Sequence, residues 1–126
     1  MNTYLLISRI LSILLSIAHT IIGEILILIP MQNAEGIPAV RGSTRTTKRT
    51  LRFTWHITSV LGIGIGFLSF HYAKFTELTL DHVYVLRILS LTFLASFVVS
   101  VVGSRARHPS WIVFLITSIL IWLGTN

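Results

Sequence analysis

Cysteine is absent from the 126-residue chain, and charged side chains are scarce at 11% of the residues. Without cysteine, the chain has no disulfide, no thiolate metal ligand and no thiol nucleophile of its own. A soluble domain carries about 25% charged residues, so this chain has too few to coat a globule exposed to water. Hydrophobic residues make up 53% of it. The composition therefore excludes an ordinary soluble domain and indicates an integral membrane protein.

Four apolar runs predict membrane helices, at about residues 4–30, 53–73, 83–103 and 109–123. A helix that spans the bilayer needs about 20 predominantly apolar residues, and the last run is the shortest of the four. Pro109 suits a first helical turn, where its missing N–H is no loss. We expect an all-α fold, an up-and-down four-helix membrane bundle that forms one domain over residues 1–126.

The first run could also be read as a signal peptide, with Ser16-Ile17-Ala18 as the cleavage site. Signal peptides begin with a basic segment, and residues 1–8 contain no Lys or Arg. The apolar stretch also continues to Pro30, beyond the length of a signal-peptide core. We therefore predict that this run is a membrane helix.

Basic residues indicate the orientation in the membrane. Four spans place loops 31–51 and 104–108 on one side together with Arg52, and that side holds seven of the ten Lys and Arg residues: Arg41, Arg45, Lys48, Arg49, Arg52, Arg105 and Arg107. Arg9, Lys74 and Arg87 are on the other side. Because Lys and Arg accumulate in cytoplasmic loops, we expect both loops in the cytoplasm and both termini outside it, in a membrane such as the bacterial inner membrane.

The net charge of +6 could indicate binding of nucleic acid, but we do not expect nucleic acid as a partner because the charge has a simpler explanation. Topology and anionic lipid headgroups account for basic residues that lie in loops between apolar runs. Membrane lipid is therefore an expected partner, and the first loop offers the hydroxyls of Thr44, Thr46 and Thr47 beside its charges.

Small and polar residues recur along one side of three predicted helices, at every fourth position in the first and third. The first helix has Ser8, Ser12, Ser16, Thr20 and Glu24, the second has Gly62 and Gly66 beside Ser59, Ser69 and Ala73, and the third has Thr92, Ser96, Ser100 and Ser104. Since lipid provides no hydrophobic drive for association, such stripes are typical of close helix–helix contact. They predict packing seams and favour a homo-oligomer or a complex with another membrane subunit.

One group of polar residues is predicted to gather at the cytoplasmic side. Glu24 lies near the end of the first helix and His56 near the start of the second, so antiparallel threading gives them a similar depth at a rise of about 1.5 Å per residue. The candidate binding residues are His19, Glu24, Arg52, His56, Ser59, Ser100, Arg105 and His108. A charge inside the membrane costs at least about 2.5–3.5 kcal/mol on insertion scales, so these groups should face protein or water. Stapling the helices together would account for them equally well.

Several functions fit this group. His19 and His56 could ligate a haem iron, or could hold a divalent metal with Glu24 and His108, although the spacing matches no metal signature. A general base at His56 or His108 would suit an enzyme acting on a lipid-like substrate. No nucleophile elbow or phosphate loop is present, so the pattern favours binding over catalysis. Trp55 and Trp111 are predicted to be interfacial anchors.

Transport is a further hypothesis. With a glutamate in the first of four short spans, the chain resembles the small multidrug resistance transporters. The resemblance implies proton-linked exchange at that glutamate, which is Glu24 in this chain. The resemblance covers size, span count and this one residue, and the long basic first loop departs from the compact pattern of that family. We therefore assign no family. The remaining alternative is an accessory or structural subunit of a membrane complex.

Overall fold

The computed structural model describes residues 2–40, 42–75 and 77–126, so Arg41, one of the basic residues counted above, lies outside the described part. The chain forms an all-α, up-and-down bundle of four helices, as predicted. They are α1 (Thr3–Asn33), α2 (Thr44–Ala73), α3 (Leu80–Ser104) and α4 (Ser110–Leu123). We call the end with the α1–α2 loop and the α3–α4 turn the basic end, and the opposite end the terminal end.

Three helices, α1 to α3, are long and apolar enough to cross a membrane. At about 1.5 Å per residue, the 14 residues of α4 fall short of the hydrocarbon thickness of about 30 Å. α4 is nevertheless integrated in the bundle, because it packs against both α1 and α3. The finding places the protein in a membrane by the length and composition of its helices.

α1 continues past its predicted end because it changes geometry before Pro30. Over Glu24–Leu28 the helix is π-helical, and the Ile29 N–H donates to the Glu24 carbonyl five residues earlier. Proline has no N–H, and its ring clashes with the carbonyl four residues before it, which kinks or breaks a regular helix. A widened turn accommodates the ring, so the helix continues to Asn33.

α2 begins at Thr44, well before the predicted start at Phe53. The hydroxyl of Ser43 accepts a hydrogen bond from the Thr46 N–H at 3.3 Å and caps the helix. The ammonium of Lys48 donates to the carbonyls of Gln32, at 2.7 Å, and Ala34, at 2.9 Å. The second part of the sequence predicted as polar loop, from Thr44 onward, is therefore a basic helical extension, and Lys48 ties it to the end of α1.

Small residues make the contact between α1 and α2 close. A Cβ atom on Gly62 would overlap the Ser16 hydroxyl, and one on Gly66 would lie 2.6 Å from a side-chain carbon of Ile13. Ser16 is buried and donates to the Ser12 carbonyl at 2.8 Å, so its hydroxyl is satisfied within its own helix. The predicted packing role of this Gly-x-x-x-Gly pair is confirmed.

The stripe predicted on α3 does not face its neighbour throughout. Ser90, outside the stripe, joins α4: it donates to the Ser118 carbonyl at 2.8 Å, and Ser118 donates back to the Ser90 carbonyl at 2.8 Å. Thr92 is exposed and bonds the carbonyl of Ile88 in its own helix. Fourfold spacing shows that residues share a helix face, but it does not specify which of them meet α4.

The hydrophobic core lies toward the terminal end of the bundle. Leu5, Ala73, Leu86 and Ile121 are fully buried and pack together, one from each helix, with Phe93 beside them. In order of contact, α2 packs on α1, α1 on α4, and α4 on α3. The apolar core thus closes the terminal end and leaves polar side chains to meet near the basic end.

Candidate functional site

Glu24 is the centre of the polar group between α1 and α2. One carboxylate oxygen accepts a hydrogen bond from the guanidinium of Arg52, and the other lies 3.1 Å from Nε2 of His56. The predicted juxtaposition of Glu24 and His56 is therefore present. An unpaired carboxylate in this position is unfavourable in free energy, and the contacts with a guanidinium and an imidazole together offset that cost.

The local fold explains why all three side chains meet. Arg52 and His56 are four residues apart on α2, so they project from the same face. Glu24 begins the π-helical segment of α1, where the backbone widens. Single-turn π segments are rare and frequently occur at functional sites. Pro30 is the sequence signal for this segment, although a proline at this position also suits the end of a helix.

The group is open to the surface rather than enclosed. The side chains of Arg52, His56 and Glu24 are 50%, 36% and 20% exposed, respectively. An ion pair with this exposure can exchange partners, because neither charge is committed to a dry interior. A ligand anion could therefore compete with Glu24 for Arg52.

His19 forms a second part of the same inter-helix face, deeper in the bundle. Its Nδ1 lies 2.9 Å from the hydroxyl of Ser59, which is buried. Its ring stacks on Trp55 with centroids 4.3 Å apart and planes 3° from parallel. Five predicted site residues, His19, Glu24, Arg52, His56 and Ser59, thus lie along one α1–α2 face.

Trp55, which the sequence predicts as an interfacial anchor, also takes part in the contact between α1 and α2. Its indole N–H donates to the His19 carbonyl at 2.9 Å, and a Cβ atom on Gly23 would overlap the indole. Trp55 therefore packs into the α1–α2 contact and holds the His19 ring. The sequence contained a signal for this, since Gly23 lies on the helix face next to His19 and leaves room for a large partner.

Ser100 and His108 form a separate cluster at the α3–α4 turn. The Ser110 hydroxyl lies 2.8 Å from the Ser100 hydroxyl and 2.8 Å from Nδ1 of His108. Within the described residues, neither Ser100 nor His108 hydrogen-bonds to the Glu24 group. The predicted eight-residue constellation is therefore divided between two hydrogen-bonded groups, because α3 packs chiefly on α4.

Arg105 lies at that turn and ends α3 in the left-handed conformation, at φ 50°. Its side chain is exposed, as is that of Arg107. Left-handed backbone is uncommon outside glycine and marks a tight reversal of the chain. The two arginines therefore add positive charge to the basic end, and among the described residues neither hydrogen-bonds to the Glu24 group.

The histidines give little support to the metal and haem hypotheses. In the part of the chain that the structure describes, no three His, Asp or Glu side chains gather as they would around a metal ion. One ring nitrogen of His19 is engaged with Ser59, and one of His56 with Glu24. Each imidazole therefore already has a partner within the protein.

Comparison with known proteins gives no match, whether to a family model, a curated sequence or a solved structure. The function must be argued from the geometry of the chain itself.

Proposed function

We propose that this protein binds the phosphate-bearing headgroup of an anionic lipid at its basic end. The observation that supports this most directly is the extension of α2 beyond the apolar span, as a basic helix that leads to the Glu24 group. Arg45, Arg49 and Arg52 occupy positions i, i+4 and i+7, so they share one face of that helix. His56 continues the same face one turn further.

The charges on this face are available to a ligand to different degrees. Arg45 and Arg49 are exposed. Lys48 is occupied, because its ammonium bonds two carbonyls at the end of α1. The planar fork of arginine suits bidentate contact with phosphate. The exposed arginines, rather than Lys48, are therefore the proposed ligand contacts.

The proposed side of the membrane follows from the count of basic residues. With seven Lys and Arg residues at the basic end and three at the other, the basic end belongs in the cytoplasm. The cytoplasmic leaflet carries anionic lipid, and each Lys or Arg near its surface contributes about 1 kcal/mol of attraction. A bacterial inner membrane with phosphatidylglycerol fits this arrangement.

Glu24 has a defined part in the proposal, as an internal competitor for Arg52. The carboxylate holds the guanidinium in place when no headgroup is bound. A phosphate on Arg52 would release Glu24, which keeps His56 as its remaining partner. We therefore expect Glu24→Gln to strengthen headgroup binding several-fold, and Arg52→Gln to weaken it.

The absence of cysteine allows a direct test at this end alone. A single cysteine replaces Thr46, which is exposed at the start of α2, and carries a fluorophore. The full chain is placed in nanodiscs, and quenching of the fluorophore is measured with phosphatidylglycerol that bears a nitroxide near its headgroup. The same measurement is made with phosphatidylcholine labelled in the same way. Stronger quenching by phosphatidylglycerol than by phosphatidylcholine shows that phosphatidylglycerol is enriched around the label, and this enrichment measures selective binding.

Arg49→Gln should reduce that enrichment about fivefold at low salt, the factor that corresponds to about 1 kcal/mol. Lys74→Gln, which removes an exposed cation at the terminal end, is the matched control and should leave the enrichment unchanged. Equal quenching by both lipids in the unmodified protein, or reduced enrichment in Glu24→Gln, would contradict the proposal.

Proton-linked transport is the second candidate, and the π-helical segment at Glu24 favours it. A carboxylate that is 20% exposed between two exchangeable partners could bind and release a proton or a cation. Reconstituted vesicles with a pH gradient would be tested for uptake of tetraphenylphosphonium. Under this candidate Glu24→Gln abolishes uptake, whereas headgroup binding alone predicts no pH-driven uptake at all.

A further inference from the structure

Side chains of α3 and α4 form a groove between the two helices. Its volume is about 350 Å³, and its walls include Leu91, Leu94, Leu115, Ile119, Trp122 and Leu123. These side chains are apolar, and Leu91 and Trp122 remain 54% and 44% exposed. The groove is therefore a hydrophobic surface depression that is open toward the bilayer.

The floor of the groove is also effectively apolar. Ser90 and Ser118 lie there, and each donates its hydroxyl proton to the other residue's carbonyl, both at 2.8 Å. A hydroxyl that is satisfied by the protein makes no demand for water or for a polar ligand. The floor thus suits a hydrocarbon chain as well as the walls do.

The end of the groove nearest the terminal end is positively charged. The Arg87 guanidinium lies 3.5 Å from the centre of the Trp122 ring and donates to the Asn126 side chain at 2.7 Å. Within the described residues, Arg87 forms no ion pair with a carboxylate, and α4 contains no Asp or Glu. Arginine has five N–H donors, so most of them remain available to an anion.

The order of these features matches a membrane lipid. Arg87 lies toward the headgroup region, and the apolar walls follow it inward: Leu94 is seven residues further along α3, about 10 Å deeper. A second transmembrane helix fits less well, because close helix contact requires small residues and the walls are formed by Leu, Ile and Trp.

The geometry points to a binding site for an anionic phospholipid of the leaflet at the terminal end. Its phosphate contacts Arg87, and one acyl chain lies along Leu91, Leu94 and Ile119. The site shares no residue with the headgroup site proposed at the basic end, so either can fail without the other.

The experiment uses a single fluorophore on Thr125→Cys, beside Arg87 and Asn126, in the full chain in nanodiscs. The probes are the nitroxide-labelled phosphatidylglycerol and phosphatidylcholine described above. Phosphatidylglycerol should be enriched over phosphatidylcholine, and Arg87→Gln should reduce the enrichment about tenfold, as expected for one charge-assisted phosphate contact. Lys74→Gln is the control cation at the same end and should have no effect.

A second pair of variants tests the acyl chain without touching the charge. Leu91→Trp fills the groove and should reduce quenching by phosphatidylglycerol, whereas Val60→Trp, at a position on α2 that is 67% exposed, should not. Quenching that is equal for the two lipids, or unaffected by Arg87→Gln, would overturn the inference. So would a Leu91→Trp protein that loses a dimer seen in the unmodified chain while its lipid quenching is unchanged, because the occupant would then be a second copy.

Discussion

Replacing Glu24 and Arg52 singly and together should measure how strongly this pair couples α1 to α2. Hydrogen bonds to charged groups contribute about 1.5–3 kcal/mol when well protected, whereas exposed ion pairs contribute about 0.2–1 kcal/mol. Glu24 is 20% exposed and Arg52 is 50% exposed, so the pair lies between these cases. We expect a coupling energy of about 1 kcal/mol.

The assay is a double-mutant cycle of Glu24→Gln, Arg52→Gln and the double variant. The free energy of unfolding is measured by adding dodecyl sulfate to the protein in dodecylmaltoside and following loss of helix by circular dichroism. A second cycle with His56→Gln should give a smaller coupling, about 0.5 kcal/mol, because an imidazole has fewer N–H donors than a guanidinium to offer the carboxylate. The Glu24–His56 contact is also longer than usual for a charged pair, at 3.1 Å.

A third cycle pairs Glu24→Gln with Arg87→Gln, which lies at the opposite end of the bundle. Distant sites are additive to within about 0.3–0.5 kcal/mol, so this cycle sets the experimental error. If the coupling of Glu24 to Arg52 is no larger than that of Glu24 to Arg87, the ion pair does not join the helices, and the competition proposed for Arg52 loses its basis.

Two further pairs of substitutions test the packing. Gly66→Ala should destabilise the fold by about 1–3 kcal/mol, since the new Cβ overlaps α1, whereas Gly64→Ala meets nothing within 4 Å and should be neutral or stabilising by up to about 1 kcal/mol; the detergent unfolding assay distinguishes them, and equal effects would refute the close contact. Thr117→Val should be neutral or stabilising, since the Thr117 hydroxyl is buried without a hydrogen-bond partner in the described structure. Ser118→Ala removes a bond to Ser90 and should cost about 1 kcal/mol, so a larger loss in Thr117→Val would show that its hydroxyl has a partner.

Much of the fold could be predicted because each helix satisfies its own backbone hydrogen bonds in lipid, and three of the four are long and apolar enough to cross a bilayer. The ends of the helices were less predictable. Pro30 stood as an end of α1, but the π-helical segment lets the helix pass it. The basic stretch after Ser43 resembled a loop by composition, yet a hydroxyl cap and the Lys48 contacts make it helical.

The candidate site was predictable only for residues whose depth in the membrane is enough to bring them together. Glu24 and His56 meet because antiparallel helices of fixed rise place them at the same height. Ser100 and His108 share that end of the bundle but belong to another cluster, since depth does not specify which helices are neighbours. The stacking of His19 on Trp55 depends on the space left by Gly23, which hydropathy does not record.

By itself, the sequence of this protein determined the apolar runs, the concentration of positive charge at one end and the heights of Glu24 and His56, because these follow from the one-dimensional order of residues and the fixed rise of a helix. Only the tertiary structure decided the order of the helices, the partner of each serine stripe and the groove beside Arg87. The physical reason is that helices in lipid associate through the shapes and hydrogen bonds of particular side chains, and those depend on the rotation of each helix about its own axis.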